Sequence, residues 1–134
     1  MASISSIEGI GPVATEKLGA AGVKTTEGLL KAGASKAGRK SLASDTGIDE
    51  KKLLKFVNMA DLFRIKGVGE EISELLEASG VDTVKELRNR VPANLHKKMV
   101  EVNDQKKLVR QVPSESQVEG FVSHAKELDP MVTH

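Results

Sequence analysis

The chain repeats itself, and the repeat limits what it can fold into. Residues 7–30 align without a gap on residues 65–88, with ten identities in twenty-four positions at a constant offset of 58. Ile7, Gly9, Gly11, Glu16, Leu18, Ala20, Gly22, Val23, Thr25 and Leu29 match Ile65, Gly67, Gly69, Glu74, Leu76, Ala78, Gly80, Val81, Thr83 and Leu87. Further on, Glu50, Phe56, Val57 and Ala60 pair with Glu115, Phe121, Val122 and Ala125 at an offset of 65, so the second copy carries seven more residues in its middle. Fixed-period self-similarity marks a duplicated structural unit. Units of roughly 60 residues bury little surface alone, so the two are expected to pack into one structure.

The local pattern inside each copy is helical. Ile7-Glu8-Gly9-Ile10-Gly11 and Ile65-Lys66-Gly67-Val68-Gly69 read as tight turns whose glycines permit positive φ or a close backbone approach. A helix follows each turn, and Pro12 suits a first helical position, where its missing N–H is not needed. Ala14, Leu18 and Ala21 form one apolar stripe and Ile72, Leu76 and Ser79 its counterpart. Gly22 and Gly80 read as helix ends, and Thr25 and Thr83 as caps of the next short helix, the second with the capping-box acid Glu86. Asp49 is placed to cap a helix with Leu53, Val57 and Ala60 inside and Lys51, Lys52 and Lys55 largely outside. Ser114 with Gln117 forms a capping box before the stripe Val118, Phe121, Val122, Ala125. Further helices are predicted at about 35–45, 93–102 and 104–111, and strand alternation is absent. The expected fold is all-α: two tandem units, 1–62 and 63–134, with about eight or nine short helices and no linker composition except from Asp129 to His134.

The apolar-x-Gly-apolar-Gly turn before a helix resembles the helix-hairpin-helix motif, within the SAM-like class of folds. The run from Ile7 to Thr25 is similar to the small DNA-binding domain at the N-terminus of archaeal and eukaryotic recombinases, and Leu42 to Asp49 resembles a second, degenerate hairpin. Nearly the whole chain resembles a bacterial family of two-unit proteins defined only as a domain of unknown function. The resemblance implies that backbone N–H groups of the turn and the positive end of the next helix hold a phosphate oxygen, which positions DNA without reading its sequence. It puts Gly9, Ile10 and Gly11 at the phosphate, with Lys17 on the following helix and Lys24 just past it. Glu8 sets an acid inside that turn. The second turn is followed at once by Glu70 and Glu71, which satisfy the same N–H groups and helix dipole. Gly67, Val68 and Gly69 are therefore expected to be structural.

Charge agrees with that asymmetry. The net charge is +1, but residues 1–60 hold nine Lys/Arg against six Asp/Glu, a balance of +3, and residues 61–134 hold eleven against thirteen, a balance of −2. Lys36, Arg39 and Lys40, after Lys31, form one basic cluster in the first unit, and Lys51, Lys52 and Lys55 form another. Either can track phosphates, or be a solvated helix face. Without Cys there are no disulfides or thiolate sites, and His96, His124 and His134 are too scattered for a metal motif, so no cofactor or metal is expected. No nucleophile–base set or nucleotide loop is found, so the chain is not expected to be an enzyme. With no leader and no apolar run of about 20 residues, a cytoplasmic protein is expected. Two functions stay open. One is a sequence-nonspecific DNA-binding module acting through Gly9, Ile10, Gly11, Lys17, Lys24, Lys36, Arg39 and Lys40. The other is a protein–protein adaptor in which both hairpins are structural. Neither involves a membrane or a small-molecule substrate.

Overall fold

A computed structural model of the chain describes every residue except Met1, Ala2, Glu8 and His134. The acid read in the first turn, Glu8, and the histidine His134 thus lie outside the described residues. After a short 3-10 turn at Ile4–Ser6 come α1 (Pro12–Ala20), α2 (Thr26–Gly33), α3 (Lys36–Thr46) and α4 (Glu50–Leu62). Then follow α5 (Glu70–Ala78), α6 (Val84–Leu87), α7 (Pro92–Lys106) and α8 (Glu115–Glu127). The one extended pairing among the described residues is an isolated antiparallel bridge between Ser3 and Thr25. The fold class is all-α.

The chain divides into two compact units. The first is formed by the described residues of Met1–Asp61 and Met131–His134, the second by Leu62–Pro130. Sequence pattern assigned the last residues to the second unit and gave them linker character. Instead Asp129 and Pro130 stay with the second unit and the described residues 131–133 belong to the first: Val132 is buried, and the Thr133 N–H donates to the Ala34 carbonyl at 2.8 Å. The cause is a long-range bond set that local composition does not encode.

In the first unit Ile4, Ile7, Ile10 and Leu18 bury with Leu29 and Leu30 of α2 and Leu53, Phe56 and Val57 of α4. The second has its own core, built from Ile65, Val68, Leu75, Leu76, Val118, Phe121 and Val122 with Leu95 and Met99 of α7. The caps that position these helices follow local chemistry. Thr25 accepts from the Gly28 N–H at 3.0 Å, Thr83 from Glu86 at 3.2 Å, and Ser114 and Gln117 close a reciprocal capping box. Glu86 does not complete the box with Thr83: its carboxylate takes Arg90 at 3.0 and 3.1 Å instead.

One predicted helix is absent. Residues 93–111 were expected to form two helices, but α7 runs unbroken from Pro92 to Lys106 and 107–111 are irregular. Lys107 adopts the left-handed conformation at φ 52° and ends the helix with its N–H on the Asn103 carbonyl. The Asn103 side chain then binds both the N–H and the carbonyl of Val109, at 2.9 and 3.1 Å, satisfying backbone groups that a helix would have used.

Candidate nucleic-acid interface

The two glycine turns have the same geometry. Gly9 and Gly67 hold φ of 93° and 90°, a region where an L side chain is strained. A Cβ on either would also stand 3.3 Å from a ring carbon of Phe56 or Phe121. The N–H of the next residue closes each turn, Ile10 on Ile7 and Val68 on Ile65, both at 3.1 Å. Gly11 and Gly69 are extended N-caps of nine-residue helices, and neither helix has a side-chain cap. Both helices end alike, with Val23 bonding back to Leu18 at 2.8 Å and Val81 to Leu76 at 2.9 Å.

Around the first turn lies an open groove of about 670 Å³, lined by Gly9, Gly11, Lys17, Asp49, Lys52, Lys55 and Phe56 among others. Its walls are the start of α1 and the Gly47-Ile48-Asp49 turn that leads into α4. Gly47, at φ 74°, closes α3 with its N–H on Ala43 at 2.8 Å. Asp49 turns one carboxylate oxygen to the Lys51 N–H at 3.3 Å, which starts α4. The Gly9–Gly11 turn and the Gly47–Asp49 turn therefore frame one opening. Exposed Lys17 reaches it from α1, and exposed Lys52 and Lys55 from α4. A phosphate there would meet a helix start without a side-chain cap, which favours anions, and three cations.

Around the second turn is an opening of similar size, about 600 Å³, lined by Lys66, Gly67, Gln117, Gly120, Phe121, His124 and Glu127. Here the N–H of Lys66 donates to His124 Nδ1 at 3.0 Å, tying the turn to α8. At the repeat offsets, Lys17 corresponds to Leu75, Lys24 to Asp82, Lys52 to Gln117 and Lys55 to Gly120. The turn backbone and the phenylalanine beside it recur, and the cations do not. Glu70 and Glu71 occupy the first turn of α5.

Several residues expected at a phosphate are elsewhere. Ile10 is buried and its N–H is taken by Ile7, so neither its side chain nor its donor serves a ligand. Lys24 is exposed but follows the C-terminal end of α1 and does not line the groove. Arg39 is only 4% exposed. Its guanidinium donates to three carbonyls, Gly33 at 2.8 Å, Ala34 at 3.0 Å and Thr133 at 2.6 Å. It is a structural brace and leaves the basic cluster. Lys36 and Lys40 remain exposed on α3, one turn apart. Lys52 and Lys55, for which the sequence left a phosphate-tracking and a solvated face both open, line the groove. Their signal was the Gly47-Ile48-Asp49 turn: the helix that starts there carries its first exposed residues to the same opening.

Among the described residues no cluster of His, Cys, Asp or Glu is arranged to hold a metal ion. No helix among them is long and apolar enough to cross a membrane. A family model described as a domain of unknown function, DUF4332, matches residues 8–128. No curated protein and no solved structure gives a significant match.

Proposed function

We propose, for a chain that belongs to the DUF4332 family, a non-catalytic module that holds DNA phosphates without reading sequence, mainly through its first unit. The observation that carries this reading is the one-sided loss of charge between otherwise matching turns. Lys17, Lys52 and Lys55 surround the first groove, and Leu75, Gln117 and Gly120 stand at the corresponding positions of the second copy. Packing alone requires the glycines and the phenylalanine in both copies; it does not require three exposed lysines in one. The shared φ values, turn bonds and helix ends support reading each unit as a helix-hairpin-helix element and the two as an internal duplication. A groove of backbone donors and lysines favours phosphate over base edges, so binding is independent of sequence.

The test is a titration of labelled duplex DNA with the full chain over a range of salt. Binding at low ionic strength that weakens into the range of about 10⁻⁴–10⁻⁶ M near physiological salt is expected of phosphate contacts alone. Lys17→Glu with Lys52→Glu abolishes it, whereas Lys66→Glu leaves it nearly unchanged. The absence of binding even at low salt favours the second reading, a protein–protein adaptor. That reading draws on the tether between Lys66 and His124 and on the acids Glu70, Glu71 and Glu127 around the second turn.

A further inference from the structure

We infer that the first half of α4 is a basic ridge that lies in the major groove of B-form duplex DNA, with a row of phosphates on each flank. The inference rests on the phosphate reading above and specifies which form of nucleic acid the unit takes. Lys51, Lys52 and Lys55 are all exposed there, while Leu53, Phe56 and Val57 turn inward. At about 100° per residue, Lys51 and Lys55 stand close to the outward crest of the helix, Lys52 lies on one flank and Leu54 on the other. Each flank borders an opening. Lys52 and Lys55 share theirs with Lys17 of α1 and with one acid, Asp49. Lys51 and Leu54 share a smaller one with Lys36 of α3 and with one acid, Glu50. Each opening thus joins a lysine of α4 to a cation from another helix.

Width decides the groove. A helix with its side chains is about 10–12 Å across. The major groove of B-DNA is about 12 Å wide and the minor about 6 Å. Duplex RNA has a deep, narrow major groove that side chains do not read. A single strand offers only one row of phosphates. Single-strand binders commonly add aromatic rings on which bases stack, and this chain has no exposed Phe, Tyr or Trp. Phe56 and Phe121 are buried, Phe63 is half-buried, and Trp and Tyr are absent from the sequence.

The test takes the full chain and three probes of one sequence: a DNA duplex, the matching RNA duplex, and one DNA strand. Affinity is followed by fluorescence anisotropy across a potassium chloride series. The DNA duplex is expected to bind more tightly than either other probe by about tenfold or more, the scale set by losing one row of phosphate contacts. Lys36→Ala with Lys51→Ala, and separately Lys17→Ala with Lys52→Ala, should each flatten the plot of log affinity against log salt by about 1.8 in slope. Circular dichroism checks that each variant keeps its helix content. If the Lys36/Lys51 pair leaves the slope unchanged while the Lys17/Lys52 pair flattens it, only one row is held. The ridge is then overturned and the phosphate reading stands. Equal affinity for the RNA duplex overturns the major-groove placement. If none of the three probes binds at low salt, the ridge and the phosphate reading fall together.

Discussion

Gly9 and Gly11 stand two positions apart and respond to substitution in opposite ways. Gly9 holds a positive φ against the Phe56 ring, so Gly9→Ala should cost on the order of 1–2 kcal/mol through backbone strain alone. Gly11 is extended, and a Cβ built on it meets nothing within 4 Å. Gly11→Asp therefore adds a cap to a helix that has none and should raise stability by a few tenths of a kcal/mol, roughly 0.3. The same carboxylate occupies the donors a phosphate would use, so DNA binding should fall while thermal stability holds or rises. Thermal melts and salt-dependent titration of the two variants check both halves of this expectation. The motif itself marks both glycines as special, and only the fold shows which of them carries the strained angle. Arg39 is a similar case. Its neighbours Lys36 and Lys40 make it look like one of three surface cations, yet it bonds three carbonyls. Arg39→Gln should cost about 2–3 kcal/mol in urea denaturation, from lost charge-assisted bonds and carbonyls left without donors.

At the scale of elements, what was legible was local. The caps at Thr25, Thr83 and Ser114 act across three residues, so residue type and spacing specify them without the rest of the molecule. The end of α7 was not legible, because it rests on the Asn103 side chain reaching six residues forward and on a lysine in a left-handed conformation. Neither glycine nor proline marks the stop. Lys107→Gly should relieve the left-handed cost and stabilise the second unit by about 1 kcal/mol, measurable as a higher denaturation midpoint. Asn103→Ala should do the reverse, by about 1–2 kcal/mol, since the Val109 backbone loses both partners. The groove in the first unit belongs to the same lesson. Lys17 and Lys52 are each unremarkable on their own helix, and they come to line one groove because the turns before α1 and α4 open to one place.

For the whole molecule, the sequence pattern pointed to two units but not to the discontinuity of the first. Its last segment joins through bonds between residues 94 and 99 positions apart, Arg39 to Thr133 and Thr133 to Ala34. Deleting 131–134 should speed amide exchange in α2 and α3 while α7 and α8 keep their protection, as native-state exchange by mass spectrometry resolves. The tie also bears on biosynthesis. Domains made on a ribosome generally fold in order of emergence, as units. Here the earlier-made unit lacks its closing segment until residues 131–133 have left the exit tunnel, whereas the second unit is continuous and has all its residues sooner. Arg39 gains the last of its three carbonyl partners only with Thr133, so the first unit closes after the second has been made.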